Sequence, residues 1–251
     1  MPTWNADQYL KFAEERTQPC RDLAVRISID DVRTVIDLGC GPGNSTRVLA
    51  GRWPNAAITG LDNSAPMIET ACGEQPQHRW MVGDISQWAS EKGPRFDIVF
   101  SNAALQWVPD HAVLYPKIIA RVVPGGAHAA QMPADIDSPP HRLMREIAPG
   151  MRVKEWHAHP PDFYYDLLTP LCARVDVWET EYLHVLPNAE AIVEWYRGTG
   201  LRPFLEALAT ESDRDRFLEE YLKRIRALYP PRSDGNVLFP FRRLFVVAYR
   251  N

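Results

Sequence analysis

The stretch that decides the fold is VIDLGCGPGNST, residues 35–46. An apolar run reaches an acid, Asp37, and is followed by glycines at alternate positions, Gly39, Gly41 and Gly43. Glycine tolerates positive φ and lets the backbone approach a ligand closely. The free N–H groups of a following helix would suit a carboxylate or ribose oxygens. The stretch therefore predicts a buried strand, a tight ligand-binding turn and a helix; a turn that binds nothing is the alternative.

The glycine spacing argues against two other nucleotide-binding motifs. A dinucleotide fingerprint, G-x-G-x-x-G, would place its third glycine where Asn44 stands. A P-loop would need a Gly-Lys-Ser or Gly-Lys-Thr ending, which the stretch lacks. Asp37 stands directly before the turn, where a carboxylate is better tolerated by a neutral or cationic ligand than by a pyrophosphate. The motif therefore disfavours a nicotinamide dinucleotide site.

Apolar runs alternate with amphipathic stretches along the first part of the chain. The runs at 33–38, 57–62, 79–83, 96–102 and 127–132 predict strands with helices between them, which is the rhythm of βα units. Open α/β sheets bind ligands at the carboxyl edge of their strands. We therefore expect a binding site at that edge.

The sequence beyond residue 132 has a different composition, with many prolines and several histidines. It predicts a strand near 174–183, mostly helical structure over 188–229 and a last strand at 243–249. We expect a single domain in which three segments lie outside the sheet, namely an N-terminal segment 1–30 and cap insertions at about 134–172 and 185–238.

The composition of the 251-residue chain is that of a globular protein, with 45% hydrophobic residues. A formal net charge of -4 offers no basic field for nucleic acid. The first residues carry charges and lack a signal-peptide core, and no stretch approaches the length of a membrane span. We therefore expect a cytoplasmic protein with no nucleic-acid, membrane or evident protein partner.

The cysteine pattern predicts reduced thiols rather than disulfides or zinc ligands, because no two cysteines form a C-x-x-C pair. The four cysteines are Cys20, Cys40, Cys72 and Cys172. His157 and His159 have no acid or cysteine at a fitting spacing. No metal site is expected.

Two more acids follow predicted strands. Asp62 ends the second strand and could accept both hydroxyls of a ribose, although a helix cap is the alternative. Asp84 ends the third strand and could accept an adenine amino group, although a turn aspartate is the alternative. Met67 and Ile85 could enclose the adenine ring, or pack in the core.

Taken together, these acids and the glycine turn resemble the class I S-adenosylmethionine-dependent methyltransferases. The family pattern E/D-x-G-x-G-x-G is matched by residues 37–43, and the family's fourth-strand element by FDIVFSN at 96–102. The resemblance implies a doubly wound, Rossmann-like sheet of seven mostly parallel strands with an antiparallel last strand. It implies S-adenosylmethionine as cofactor, with an ammonium that could pair with Asp37 directly or through water. The expected cofactor residues are Asp37, Gly39, Gly41, Asp62, Met67, Asp84, Ile85 and Asn102.

The loop after the fourth strand, ALQWVPDH at 104–111, should border the transferred methyl group. It lacks the Asn/Asp-Pro-Pro-aromatic motif of enzymes that methylate nitrogen in nucleic acid or protein. Gln106 and Trp107 are suited to shaping a pocket. His111 could act as a base, but Pro109-Asp110 resembles a helix start and favours a helix-capping role. A carboxylate acceptor would need no base, since it is already ionised at neutral pH.

Arginines near a glycine break favour an anionic acceptor. YRGTGLRPF, residues 196–204, places Tyr196 beside Arg197 and Arg202, and arginine binds carboxylates in bidentate fashion. His184 leaves the sixth strand before this segment, and Arg243 begins the last strand. The alternative is that these arginines are solvated or paired with glutamates.

Blocks along nearly the whole chain are similar to the trans-aconitate 2-methyltransferase family. The particular ones are the N-terminal block from Trp4 to Arg16, LQWVPDH at 105–111 and TGLRP at 199–203. The resemblance implies an enzyme that forms a monomethyl ester of trans-aconitate, a small anionic substrate. The segment 149–163 matches least well. The expected acceptor-site and catalytic residues are Gln106, Trp107, Tyr196, Arg197, Arg202, Arg243 and His184.

Three alternatives remain at this point. The acceptor could be another small acid, or a carboxylate on a carrier-bound chain. The chain could also be a non-catalytic sensor of S-adenosylmethionine, although the loop after Asn102 is intact.

The helix predicted over Trp4–Arg16 could fold over the cofactor and close the site, or pack against the sheet edge.

Overall fold

The computed structural model describes residues 12–153 and 157–251. They form one seven-stranded sheet with strand order β3-β2-β1-β4-β5-β7-β6. The first five strands pair in parallel, and β7 lies antiparallel between β5 and β6. The predicted mostly parallel sheet with an antiparallel last strand is confirmed. The strands are β1 (Thr34–Leu38), β2 (Ala57–Asp62), β3 (Arg79–Val82), β4 (Phe96–Asn102), β5 (Val122–Pro133), β6 (Cys172–Leu186) and β7 (Val237–Arg250).

Helices connect these strands, and short 3-10 turns occur at Leu105–Trp107 and Thr169–Leu171. The predicted N-terminal helix is described only from residue 12, so Trp4 and Tyr9 lie outside the described residues. No helix in the described ranges combines the length and apolar character needed to span a membrane. The helices are α1 (Ala13–Arg26), α2 (Asn44–Arg52), α3 (Ala65–Glu74), α4 (Ile85–Ser90), α5 (His111–Ala120), α6 (Pro139–Ile147), α7 (Pro161–Leu168), α8 (Ala189–Arg197), α9 (Arg202–Ala207) and α10 (Glu211–Leu228).

Neighbouring residues of the central strands pack on opposite faces of the sheet. Ile36 and Val99 belong to one apolar cluster, whereas Val35 and Ile98 belong to another. Because helices cover both faces, these strands are continuous apolar runs rather than alternating patterns. The buried faces fix the strand register, so the carboxyl ends of β1 to β4 meet at one edge of the sheet.

A third apolar cluster surrounds one end of the β6–β7 pair. Phe239 and Phe241 of β7 pack there with Met144 of α6, Trp195 of α8 and Phe217 of α10. α7 packs instead in the cluster that holds Ile36 and Val99, whereas α6, α8, α9 and α10 share a core of their own. That core is joined to the sheet through β7.

The last two strands are longer than predicted. The sequence predicted strands at 174–183 and 243–249, but β6 and β7 pair over their whole lengths. Pro240 and the exposed Arg242 interrupt the apolar pattern of β7. Residues 237–242 pair with β6 and not with β5, and this pairing overrides the local pattern, because strand formation depends strongly on cross-strand context.

The sequence predicts that the Ser64 hydroxyl caps the helix after β2 and that the cysteines are buried, and the structure corrects both expectations. Ser64 precedes α3, but its hydroxyl makes no capping hydrogen bond. Its N–H instead donates to Asp62 Oδ1 at 2.9 Å. Cys72 is exposed, whereas Cys20, Cys40 and Cys172 are buried.

Candidate active site

The glycine turn after β1 has the conformation that the sequence predicts. Gly39, Gly41 and Gly43 have φ angles of 73°, 53° and 92°. These left-handed angles are costly for residues with a side chain. A Cβ at Gly39 would lie 2.2 Å from Cβ of Ala104, while one at Gly41 would enter open space. The turn is therefore packed on one side and open on the other.

Asp62 joins β2 to this turn. Its Oδ2 accepts a hydrogen bond from the Gly41 N–H at 2.9 Å, and its Oδ1 accepts one from the Ser64 N–H at 2.9 Å. Burial raises the pKa of this carboxyl, although backbone hydrogen bonds partly oppose the effect. Each carboxylate oxygen can accept a further hydrogen bond. Asp62 can therefore hold the turn and still accept hydroxyls from a ligand.

Asp37 lies beneath the turn, and its side chain is fully buried. Oδ2 accepts hydrogen bonds from Ser45 Oγ at 2.6 Å and Thr46 Oγ1 at 2.7 Å. Burial raises the pKa of Asp37 to about 6 despite these two hydrogen bonds. The carboxylate supports the first turn of α2 and does not line the cavity described next. This geometry disfavours direct pairing with a ligand ammonium and leaves pairing through water as a prediction.

A cavity of about 290 Å³ opens at the carboxyl ends of β1 to β4. We call it the first cavity. Apart from Asp37, all the residues expected to hold a cofactor line it, namely Gly39, Gly41, Asp62, Met67, Asp84, Ile85 and Asn102. Asp84 also caps α4, because its Oδ1 accepts a hydrogen bond from the Gln87 N–H at 2.9 Å. Asp84 is thus a helix cap rather than the turn aspartate of the alternative interpretation, and this role is compatible with binding a ligand.

The loop after β4 separates the first cavity from a smaller second cavity of about 60 Å³. Arg16, Ala103 and Trp107 line both cavities. Ala103 has a φ of 55°, and its N–H donates to the Gln131 carbonyl at 2.9 Å. A left-handed alanine costs on the order of 1–3 kcal/mol and persists where its surroundings enforce it. The shared wall is thus a strained segment held against β5.

The second cavity contains four of the residues expected at the acceptor site, namely Gln106, Trp107, Tyr196 and Arg243. Arg16 of α1 and His141 of α6 also line it. Arg16 and Arg243 are 7% and 3% exposed, so both guanidinium groups are held inside the protein. The cavity therefore combines cationic groups with an aromatic wall.

Three residues expected at the acceptor site line neither cavity. Arg197 is exposed and pairs with Glu194, with 2.9 Å between Nε and Oε1. Arg202 pairs with Glu206 at 2.8 Å through Nε. For both arginines, the paired alternative describes the structure better than the carboxylate clamp. Successive residues on a helix point in different directions, and α8 directs Tyr196 inward and Arg197 outward.

His184 is also outside the cavities. Its ring lies 4.7 Å from that of Trp195 and is stacked 6.1 Å from that of Tyr182. Burial, and then the charge of Arg243, lower its pKa to about 4. His184 is therefore a neutral packing residue behind the second cavity.

Arg16 was not among the expected site residues. Its Nη2 donates to the Trp195 carbonyl at 3.2 Å, and its guanidinium lies 5.1 Å from the centre of the Trp195 ring. Phe12, one helical turn earlier, packs on Trp195 as well. The helical spacing of Phe12 and Arg16 was visible in the sequence, but the partner lies 179 residues away. A local pattern could not identify this contact.

Arg243 reaches the second cavity because of the strand pleat. Its guanidinium lies 4.8 Å from the centre of the Phe241 ring, and Nη1 donates to Gln131 Oε1 at 3.4 Å. Its neighbour Arg242 faces the other way and donates to the Ala134 carbonyl. Alternation along β7 thus selects Arg243 as the inward-facing arginine.

His111 holds the loop between the cavities in place. Its Nε2 donates to the Leu105 carbonyl at 2.9 Å, so its Nδ1 accepts from the Tyr164 hydroxyl at 2.8 Å. The His159 N–H donates to the same hydroxyl at 3.1 Å, and burial lowers the pKa of His111. Because both ring nitrogens are engaged, this geometry disfavours a role for His111 as a base. The helix cap is Asp110 rather than His111.

His141 and Asp135 complete the surroundings of the second cavity. The His141 ring meets the edge of Tyr196 at 4.9 Å, and burial lowers its pKa to about 3. The Tyr196 hydroxyl donates to Asp135 Oδ2 at 3.2 Å. Asp135 follows β5 and resembles an ordinary loop acid in the sequence, so no signal marked it. In the part of the chain that the structure describes, no group of three His, Cys, Asp or Glu side chains could hold a metal ion.

Comparison with known proteins agrees with this architecture. The methyltransferase domain family matches residues 35–126. Trans-aconitate 2-methyltransferase of Azoarcus sp. strain BH72 is 51% identical, and that of Rhodopseudomonas palustris strain BisB18 is 46% identical. Each comparison covers 100% of both chains.

Solved structures share the fold at low identity. Phosphoethanolamine N-methyltransferase 2 of Haemonchus contortus, in complex with S-adenosyl-L-methionine, has a TM-score of 0.61 at 15% identity. That comparison covers 98% of this chain and 56% of the other. The YcgJ protein of Bacillus subtilis has a TM-score of 0.61 at 14% identity, covering 93% and 98%. By its full-length likeness to the curated relatives, the chain belongs to the trans-aconitate 2-methyltransferase family of class I methyltransferases.

Proposed function

We propose that the protein transfers the methyl group of S-adenosylmethionine to a carboxylate of a small polycarboxylic acid, trans-aconitate, and forms its monomethyl ester. The observation that carries this proposal is the wall of Arg16, Ala103 and Trp107 shared by two cavities. A donor on one side of that wall and an acceptor on the other would meet at the loop after β4. The relatives carry this activity in their names.

The first cavity fits the proposed cofactor. Gly41 leaves open space where a side chain would stand, and the N-terminus of α2 follows directly. We assign the ribose hydroxyls to Asp62 and the adenine amino group to Asp84. Met67 and Ile85 are the proposed apolar contacts of the adenine ring, since both are buried and line the cavity. When bound, S-adenosylmethionine supplies a methyl group on a positively charged sulfur.

The second cavity supports a carboxylate as acceptor. Arg16 and Arg243 would bind and orient it, and charge-assisted hydrogen bonds of this kind are about twice as strong as neutral ones. Attack of a carboxylate oxygen on the methyl carbon forms the ester bond and breaks the carbon–sulfur bond. No proton moves, so no base is required. A histidine with a pKa of about 3, as at His141, would be a poor base for an amine or a hydroxyl acceptor.

The surroundings of the loop supply positioning and exclusion of water. We propose that Gln106 and Trp107 border the reacting carboxylate, and that His111 and Tyr164 keep this loop fixed. The insertions at about 134–172 and 185–238 are proposed to form a cap, because His141, Trp195 and Tyr196 line the second cavity. Alignment within a dry pocket can contribute several kcal/mol to such a displacement. We also propose a cytoplasmic location, as the sequence predicts.

A small second cavity disfavours a carrier-bound acceptor. A long carrier-bound chain would need an extended apolar slot, whereas this cavity of about 60 Å³ contains two buried arginines. A non-catalytic sensor would not need a cationic pocket beside its cofactor. Both alternatives are therefore less well supported than a compact polycarboxylate.

Incubation with methyl-labelled S-adenosylmethionine and a panel of organic acids tests the proposal. We expect label in an alkali-labile ester of trans-aconitate, and less with acids that have fewer carboxylates. Label in an alkali-stable product, or binding of the cofactor without transfer to any acid, would overturn it.

A further inference from the structure

Asp135 is a buried acid beside a cavity that is proposed to bind anions. The residue is 4% exposed and follows the end of β5. One carboxylate oxygen accepts the hydrogen bond from Tyr196, and the other, Oδ1, has no hydrogen-bond partner among the described residues. Its carbonyl accepts from the Ser138 N–H at 2.8 Å, which fixes the backbone. Asp135 is therefore rigidly placed behind a tyrosine that lines the second cavity.

The groups around Asp135 leave few charges to balance it. Burial raises the pKa values of the neighbouring phenols and lowers that of His141 to about 3, so these groups are neutral near pH 7. Among the described residues, the Tyr196 hydrogen bond, then the charge of Arg243, a backbone hydrogen bond and the charge of Arg242 stabilise its negative charge. The titratable and charged groups that interact with Asp135 are Arg242 and Arg243 of β7, Tyr196 of α8, Tyr221 of α10, Tyr229 beyond α10, and His141 of α6.

We infer that Asp135 is a specificity-determining residue whose charge, set against that of Arg243, limits how many acceptor carboxylates the second cavity binds. The inference rests on the proposed function and extends it. When it is ionised, Asp135 weakens the field of Arg243 inside the cavity. The resulting penalty increases with each additional carboxylate that an acceptor brings near it.

The same arrangement couples acceptor binding to a proton. Burial raises the pKa of Asp135 to about 7, and the Tyr196 hydrogen bond and Arg243 only partly oppose it. Carboxylates arriving nearby raise this pKa further, because like charges disfavour ionisation. At pH 8 Asp135 is mostly ionised before binding, so binding takes up protons. At pH 6 Asp135 is already mostly protonated, and the uptake is small.

Calorimetry on the full-length protein saturated with S-adenosylhomocysteine tests this inference. Trans-aconitate and fumarate, which has one carboxylate fewer, are titrated at pH 8 in two buffers of different ionisation enthalpy. We expect wild type to take up about half a proton with trans-aconitate. Asp135→Asn should take up none and should bind trans-aconitate about fivefold more tightly, but fumarate only about twofold more tightly.

Two matched variants control the experiment. Asp137→Asn makes the same chemical change at an exposed position nearby, and it should leave affinity and proton uptake as in wild type. Tyr196→Phe removes the hydroxyl but keeps the Asp135 charge, so proton uptake should persist. Weaker binding by Asp135→Asn, or equal gains for both acids, would overturn the inference. If Asp135→Asn does not fold, absence of proton uptake by wild type at pH 8 would overturn it as well.

The methyl-transfer assay distinguishes a failure of the proposed function from a failure of the inference about Asp135. A wild-type protein that esterifies no acid contradicts the proposed function. A wild-type protein that esterifies trans-aconitate, beside an Asp135→Asn variant with unchanged selectivity, contradicts only the role of Asp135.

Discussion

The two cavities differ in how they are assembled. The first cavity is built mainly from consecutive strand ends between residues 35 and 109, with additions from α1. The second cavity combines α1, the loop after β4, the inserted helices and β7, and so joins residues from Arg16 to Arg243. The first is therefore encoded by short motifs, whereas the second depends on contacts between distant segments. Nearly all the residues expected at the first cavity line it, whereas only some of those expected at the second cavity do.

The largest expected effect tests the motif-encoded cavity. Gly39→Ala would strain a φ of 73° and bring a Cβ within 2.2 Å of Cβ of Ala104. Relief of strain and clash requires movement of the turn, which we expect to weaken S-adenosylhomocysteine binding about 100-fold or more. Isothermal titration calorimetry measures this loss.

Gly51→Ala is the matched control for that variant. Gly51 lies in α2, and a Cβ there would meet nothing within 4 Å. We expect unchanged cofactor affinity and a gain of about 0.5–1 kcal/mol in unfolding free energy. If Gly39→Ala bound S-adenosylhomocysteine with wild-type affinity, the glycine turn would not belong to the proposed cofactor site.

The next effect tests the assembled cavity. Arg243→Gln removes a buried guanidinium, and we expect the KM for trans-aconitate to rise about 10- to 100-fold, since a charged hydrogen bond contributes about 1.5–3 kcal/mol. The affinity for S-adenosylhomocysteine should change little. Arg242→Gln, the exposed neighbour on the same strand, should stay within about twofold of wild type. Equal losses in both variants would mean that general surface charge, rather than the cavity, attracts the acceptor.

A smaller effect concerns the loop between the cavities. Tyr164→Phe leaves His111 Nδ1 without its donor, and we expect kcat to fall roughly threefold to tenfold as the loop loosens. The free energy of unfolding should fall by about 1–2 kcal/mol, as for a lost buried hydrogen bond. Steady-state kinetics and urea denaturation measure the two quantities. Tyr165→Phe, at an exposed neighbouring tyrosine, should alter neither.

The smallest expected effect tests whether a sequence motif or the position in the folded structure decides the role of an arginine. Arg197 belongs to the segment that the sequence singled out, yet it is exposed and paired with Glu194. Arg197→Gln should leave the KM for trans-aconitate within about twofold, because exposed ion pairs contribute at most about 1 kcal/mol. A tenfold rise would show that Arg197 reaches the acceptor when it binds.

Prediction from the sequence succeeded where chemistry and spacing occur together. Gly39 and Asp62, which line the first cavity, were recognisable because each stands where a strand ends shortly before a helix. Asp135 and Arg16 were not recognisable, because their roles depend on contacts with Tyr196 and Trp195. The packing of the inserted helices determines where those two aromatic residues lie. Helix direction also decided between Tyr196 and Arg197, which are adjacent in sequence and face opposite environments.

The loop between the two cavities begins and ends at residues with left-handed backbone angles, Ala103 at 55° and Asp110 at 57°. Neither is glycine, so each stores conformational energy of roughly 1–3 kcal/mol while the loop stays in place. Relaxation at these two pivots would partly offset the cost of lifting the loop. An ester product that has lost one charge could then leave past the lifted loop. Replacing Ala103 with glycine would change the balance between the loop's closed position and the rate of turnover.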